Sequence, residues 1–334
     1  MPQYIHHDHS KDGINRRGFL TCMAWAGAGM VWVMKGGILQ SRAFGQSMAD
    51  TTDADFTFAQ ISDSHIGFNK GVYTDVVGTF QLTVDRINAL PKAPGLVLHT
   101  GDLSHLSKPA EFDTVSQMVT KIKTEKTFYV PGEHDYFVDN GVEYLNRFGK
   151  GTKGTGWQSF NYKGVHFVGL VNVANIDNGK TALGLLSKEQ LAWLEKDLAP
   201  LGDSTPIVVF AHVPLWTVYE QWGWGTEDSA QALTLLKRFG SVTVLNGHIH
   251  QILQKVEGNI TFHTARSTAF PQPEPGKAES PGPMKNVAAD ALKKYLGLTT
   301  VNYVKHTGML AMTDSTLDEV TTQPVPAKTP SPAN

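Results

Sequence analysis

Apolar positions in this chain fall into short solid runs, separated by stretches with helical spacing. Residues 56–62 (FTFAQIS), 95–100 (GLVLHT) and 127–131 (TFYVP) are near-continuous apolar runs, each closed by a polar or glycine-bearing turn. Such runs predict strands buried on both faces. Between the first two, residues 74–90 place Val76, Val77, Phe80, Val84 and Ile87 at helical spacing, and residues 111–123 predict a second helix. Strand, helix, strand alternation implies parallel pairing with helices covering the sheet.

The second half reads differently. Residues 157–162 and 165–171 flank Lys163-Gly164 and predict a hairpin. Ser187 and Gln190 form a capping box that opens a helix over 187–198. Residues 206–211 (PIVVFA) and 242–246 (VTVLN) are two more buried strands, and 251–256 with 259–264 predict a closing hairpin. Residues 271–283 are rich in Pro, Glu and Gly and predict a surface excursion. A further strand is expected at 309–312, and the Pro-rich stretch after Thr321 is expected to be disordered.

Composition narrows the class. The chain has 334 residues, 41% hydrophobic, and a formal charge of −2. That suits one large catalytic domain over 54–270, with a C-terminal extension over 271–320 and a tail over 321–334. No basic excess supports nucleic-acid binding. Residues 1–43 read as a leader: Arg16-Arg17-Gly18-Phe19-Leu20 is a twin-arginine (Tat) pattern, followed by an apolar run to Met34. Ser41-Arg42-Ala43 offers a cleavage site after Ala43. The alternative is an uncleaved anchor, but the run is short for spanning and ends at Lys35. The leader predicts the Tat translocase as an export partner, a periplasmic or extracellular protein, and no stable membrane span in the mature form. The only cysteine, Cys22, lies in the leader, so the mature chain is expected to be free of disulfides.

The residues that end the strands carry the chemistry. Asp63-Ser64-His65, Gly101-Asp102, Gly132-Glu133-His134-Asp135, His212 and Gly247-His248-Ile249-His250 occur in that order, each where a strand runs into a loop. Their carboxylates and imidazoles are enough to hold two divalent metals that share a bridging carboxylate. Asp63 and His65, two apart across a turn, can face one ion. The glycine before His248 allows a sharp turn that aims His248 and His250 at different ions. Open α/β sheets place their sites at such strand ends.

Taken together, these motifs resemble the calcineurin-like metallophosphoesterase family over roughly residues 56–269. The resemblance implies an α/β fold: a four-layer α-β-β-α sandwich of two mixed sheets. It implies a first metal on Asp63, His65, Asp102 and His250, and a second on Asp102, Glu133, His212 and His248. His134 would contact the phosphate and assist the leaving group, with Asp135 orienting it. The implied cofactors are two transition metals, divalent or of mixed valence, from iron, manganese and zinc. The implied reaction is hydrolysis of a small-molecule phosphate ester by in-line attack of a bridging hydroxide.

Two positions depart from the family. Glu133 stands where the family carries Asn. Either it adds a third negative charge, favouring a more highly charged ion and disfavouring a dianionic monoester, or it is a plain oxygen ligand. His105 stands three residues after Asp102, where the purple acid phosphatase branch carries a tyrosine ligand of iron. It is an extra ligand or a hydrogen-bonding part of the pocket wall. Aromatics after His212 (Trp216, Tyr219, Trp222, Trp224) either grip substrate, with Trp216 and Tyr219 foremost, or form a packed lid. His99 is read as a core histidine, His166 as exposed or edge-packed, His263 as a remote pocket candidate, and Asn172 and Asn175 as turn residues. The charge argument leans toward phosphodiesters. The alternatives are a phosphomonoesterase, a metal-dependent nuclease, and a non-catalytic exported metal-binding scaffold.

Overall fold

The structure is a computed structural model that describes residues 30–35, 38–43, 54–174, 184–305 and 309–319. Arg16, Arg17, Cys22, Asn175 and the Pro-rich tail lie outside the described residues. Strands β1 (Met30–Lys35) and β2 (Ile38–Ala43) pair antiparallel in a unit of their own, spanning Met1–Ala49. Everything below concerns the second unit, Asp50–Asn334. No helix among the described residues is long and apolar enough to cross a membrane.

One sheet is built on the three strands expected from the solid apolar runs. β3 (Phe56–Ile61), β4 (Leu96–His99) and β5 (Lys126–Tyr129) run parallel. The other contains β6 (Gln158–Tyr162), β7 (Val165–Gly169), β8 (Ile207–Ala211), β9 (Val242–Asn246), β10 (Gln254–Glu257) and β11 (Ile260–Thr264), in the order β10-β11-β9-β8-β7-β6. Its four central strands are parallel and both edges are antiparallel. Lys163 (φ +47°) and Gly164 (φ +89°) make the expected tight turn between β6 and β7.

Alternation along the strands sends every second residue to the opposite face. Phe56, Phe58, Leu96 and Leu98 face inward and meet Phe167, Val208, Phe210 and Leu245 of the other sheet. Phe58 stands edge-on to Phe167 at 5.5 Å, and each such buried ring contributes roughly 1.5–3 kcal/mol. The opposite face of the first sheet, with Ala59, Ile61 and Val97, meets two helices, α1 (Val76–Asn88) and α2 (Pro109–Val119). A short helix, α3 (Val142–Phe148), follows β5. Val168, Val209 and Val244 of the second sheet meet α4 (Lys188–Leu198) and α5 (Ser229–Leu236). The expected four-layer α-β-β-α sandwich follows from these two double-faced sheets.

Several expectations needed correction. α2 starts at Pro109 instead of 111 and ends at Val119; proline suits the first helical position because its missing N–H has no partner there. Gln190 does not complete a capping box. Ser187 Oγ accepts from Gln190 N (3.1 Å), but the Gln190 amide clamps Val171, accepting from its N–H and donating to its carbonyl at 2.7 Å each. The extension does more than pack on the domain. Strands β12 (Gly297–Val304) and β13 (Met309–Thr316) join the first sheet, giving the order β13-β12-β3-β4-β5, with β12 antiparallel to β3. The stretch after Phe270 also turns back: Tyr73 Oη donates to the Met284 carbonyl (2.6 Å), and Gln272 Nε2 donates to the His248 carbonyl (2.9 Å).

Candidate active site

β3, β4, β8 and β9 all deliver their last residues to one rim of the sandwich. There the backbone leaves the strand abruptly. Asp63 (φ +53°), His65 (+40°), Asp102 (+53°), His248 (+69°) and His250 (+54°) all sit in the left-handed region. Each such non-glycine residue costs about 1–3 kcal/mol and persists only where its surroundings over-determine it. Here the loops tie each other down. Asp63 N donates to Gly101 O (3.0 Å) and His65 N to Asp102 O (2.9 Å). Ser267 Oγ donates to Asp63 O (2.7 Å). Gly132 passes so close that a Cβ would collide with the Asp102 carboxylate.

The strained turns bring seven of the proposed ligands together. Asp102 Oδ2 lies 3.4 Å from both His65 Nε2 and His212 Nε2, the position of a bridge. Asp63 Oδ1 is 3.2 Å from His250 Nε2, and His65 Nε2 is 3.3 Å from the same atom. On the other side Glu133 reaches His212 Nε2 at 2.9 Å and His248 Nδ1 at 3.0 Å. Asp63, His65 and His250 thus form one group able to hold an ion, and Glu133, His212 and His248 another. The ring tautomers fit. His212 Nδ1 faces the Thr100 carbonyl (2.7 Å) and His250 Nδ1 the Phe270 carbonyl (2.6 Å). A carbonyl only accepts, so both Nδ1 atoms carry hydrogen and each Nε2 presents a lone pair to the cluster. His212 Nε2 is buried and makes no hydrogen bond despite its crowded acceptors. Acceptors packed against lone pairs without donors are what a cation would satisfy.

The sequence profile described as calcineurin-like phosphoesterase matches residues 56–252. The chain belongs to that family. It is 27% identical over 222 residues to a glycerophosphodiester phosphodiesterase of Enterobacter lignolyticus, covering 64% of this chain and 78% of that one. It is 27% identical over 224 residues to a probable cyclic nucleotide phosphodiesterase of Synechococcus, covering 65% and 83%. Among solved structures it resembles a dimetal phosphatase from Danio rerio, with a TM-score of 0.57 and 14% identity over 80% of this chain and 98% of that one. The protein is therefore a dinuclear, metal-dependent phosphoric ester hydrolase of calcineurin-like fold. Bound metals supply Lewis-acid activation of the ester and lower the pKa of water.

In this phosphoesterase the chain's own groups fix the orientation of the side chains around the cluster. His134 Nδ1 donates to the His105 carbonyl (2.7 Å). Burial opposes a charge on His134, but Asp102 and Glu133 outweigh it and raise its pKa. Asp135 does not orient this ring as expected. Its carboxylate accepts from Leu103 N (3.1 Å), Gly132 N (3.0 Å), Ser104 N (2.8 Å) and Ser104 Oγ (2.8 Å). Asp135 therefore holds the loop after Asp102, and the His105 carbonyl positions His134. Glu111, which sequence reasoning passed over, anchors the same loop: its Oε2 accepts from Leu106 N (2.8 Å) and His105 N (3.2 Å). Its position as third residue of α2, where an acidic side chain reaches back to the backbone before the helix, is the local signal that could have found it.

His105 lies in the same cluster, and both readings of it, ligand and wall, stand. Its Nδ1 meets His65 Nδ1 at 3.4 Å, behind the ligand face of His65, and its ring stacks on His134 at 4.7 Å. His65, His105 and His134 do come within common reach of one another. Burial, then the positive neighbours, pushes His105 down to about 4. Glu133 is opposed by burial, yet His248 and His212 hold its carboxyl well below the usual range.

The other candidates separate cleanly. Trp216 leans on Phe262 (5.0 Å) and Tyr219 Oη donates to Gln221 (2.7 Å); neither lines the cavity. Trp222 and Trp224 do, packing with Ile249 beneath the two histidines it separates. His166 is buried, not exposed, between Asn161 and Asp197 (2.8 and 3.0 Å). His263 pairs with Asp314 (3.1 Å) away from the cavity, and Asn172 holds Val213 and Thr226. The surface excursion expected at 271–283 forms a wall: Gln272 and Pro281 to Asn286 line the cavity.

His99 is the core residue expected, 3.0 Å from Ser64 Oγ, and burial drives its pKa down to about 3. Its folded pKa lies below the unfolded value, so the unfolded chain binds the extra proton. Stability is then full above about pH 6.5 and falls as pH drops toward 3. Acidifying from pH 7 to 5 should cost about 2 kcal/mol through this group. Denaturant titration of wild type and His99→Gln checks it: the variant should lose that part of the pH dependence. Equal slopes for both would refute it.

Proposed function

We propose that the protein is an exported phosphodiesterase. The observation that carries the diester reading is Glu133, whose carboxylate faces both His212 and His248 and adds a third negative charge to Asp63 and Asp102. A diester carries one charge and a monoester near neutrality carries two, so the extra carboxylate penalises the monoester more. Among the described residues the lysines lining the cavity are Lys70 and Lys285, both exposed, and no arginine lines it. The cavity, about 810 Å³, has room for two ester arms. The names of the Enterobacter and Synechococcus relatives are consistent with this reading.

The same carboxylate count suits iron, manganese or zinc, with one ion of higher charge favoured. Export rests on the twin arginines Arg16 and Arg17, the apolar run after them and the small residues at Ser41 and Ala43. The Tat translocase would carry the folded protein with its metals loaded, and the substrate would be a small phosphate ester met outside the cytoplasm.

The test is turnover by metal-reconstituted protein of bis(4-nitrophenyl) phosphate against 4-nitrophenyl phosphate. We expect kcat/KM to favour the diester by roughly tenfold or more, the effect of one added charge at short range. Equal or better turnover of the monoester would overturn the diester reading. Cell fractionation with Arg16→Lys and Arg17→Lys together should trap the protein in the cytoplasm if the export reading is right; unchanged distribution would refute it.

A further inference from the structure

We infer that the leaving arm of the diester is apolar and lies on an exposed hydrocarbon ledge beside His134, so that the protein selects phosphodiesters whose departing alcohol carries a hydrocarbon tail. This rests on the phosphodiesterase reading and sharpens it. Large apolar side chains left in solvent are not scattered. Val72 and Phe137 are exposed and line the cavity, and the exposed Leu106, Val138 and Val142 lie one or two residues along the chain from the lining residues His105, Phe137 and Asn140. Elsewhere among the described residues such exposure is confined to Val77, Val256 and Tyr295. Val138 is 72% exposed and Phe137 43%. Single exposed apolar residues are ordinary on a protein surface, but a group of them gathered on the segments around one cavity marks a contact surface.

The chemistry says which arm reaches it. In an in-line displacement the leaving oxygen departs opposite the attacking water, and here the proton donor for it is His134 Nε2. The Phe137 ring packs on the His134 ring with centroids 4.5 Å apart. An alcohol whose oxygen sits at His134 therefore meets Phe137 first and Val138 next. The reaction balances simply. Water supplies the new P–O bond, the ester P–O bond breaks, the alcohol leaves with the proton from His134, and the proton lost by water restores that imidazole. Further cavity lining is also apolar: Phe270 contacts Phe68 (4.6 Å) and Tyr73 (5.8 Å). A flat ring would cover Phe137 alone. A ledge continued by aliphatic Val72, Leu106, Val138 and Val142 fits an extended chain, and that is the occupant we assign.

The experiment uses the metal-reconstituted full chain and methyl aryl phosphates whose phenols differ in tail but barely in acidity: phenyl, 4-butylphenyl and 4-octylphenyl, all below their micelle concentrations. We expect kcat/KM to rise roughly twofold per methylene, half the effect of complete burial, and at least about 30-fold from phenyl to octylphenyl. With Phe137→Ser and Val138→Ser combined, that gain should shrink to about fivefold or less, with an unchanged melting temperature. Moving the octyl chain to the retained arm should change little. A flat series, a gain only on the retained arm, or a stronger response to a nucleoside leaving arm would overturn the inference. Should the variant not fold, the wild-type series decides alone. Failure to hydrolyse any diester, bis(4-nitrophenyl) phosphate included, would instead bring down the phosphodiesterase reading, and this inference with it.

Discussion

Asp102→Asn should lower kcat/KM by roughly 1,000-fold or more, because a two-metal clamp supplies several kcal/mol of transition-state stabilisation. The reason lies in how both carboxylate oxygens are used. Oδ1 accepts the His134 backbone N–H (2.9 Å), while Oδ2 lies 3.4 Å from both His65 and His212. An asparagine must put its NH₂ on one side or the other. Toward His134 it sets donor against donor and loosens the loop that carries His134. Toward the imidazoles it aims hydrogens where two cations belong. Metal analysis separates this from simple misfolding: the wild type should hold two ions per chain, and the variant should retain at most one with its melting behaviour largely preserved. Two ions bound and turnover within about tenfold of wild type would show that Asp102 is not the bridge.

Glu133→Asn restores the residue expected from the family and should have the next largest effect, on metal affinity. Glu133 spans two imidazoles with its two oxygens. Asparagine is a methylene shorter and offers one neutral oxygen, so His212 and His248 lose their shared anionic partner. Affinity for the more weakly held ion should fall about 10- to 100-fold, read by competition with a chelating dye. The monoester-to-diester ratio should rise at the same time, since the ligand set loses one negative charge. A weaker metal site with an unchanged ratio would leave Glu133 a plain oxygen ligand and remove the electrostatic case for diesters. No change in either would show that the extra carboxylate is inert.

The strand-ending motifs were legible because each is local: an apolar run, then a carboxylate or imidazole where the strand stops. The order of these runs was enough for parallel strands covered by helices, since strands buried on both faces need covering; the two-sheet sandwich came from the family resemblance. β12 was missed because its Thr-rich sequence, GLTTVNYV, resembles a polar extension until it pairs with β3. The short helix α3 was missed because seven residues are too few for a period to stand out. Asp135 was given the wrong partner because neighbours in sequence need not be neighbours in space. Its carboxylate reaches back to Leu103 and Ser104 across the rim and not sideways to the adjacent His134 ring.

By itself the sequence determined the fold class, the ligand types and their order, because these depend on residue chemistry and periodicity along the chain. Tertiary structure alone decided which atoms meet. The carbonyls that set the His212 and His250 tautomers and the Asp135 tie to the loop after Asp102 join residues far apart in sequence, and the left-handed backbone at five candidate ligand positions appears only once the loops are folded together. Likewise, only packing could place Trp222 and Trp224 in the cavity wall while turning the half-buried Trp216 against Phe262. These three tryptophans share side-chain type and neighbourhood in the chain. What distinguishes them is the direction each side chain takes once the loop is folded over Ile249, and that direction is set by contacts no local pattern contains.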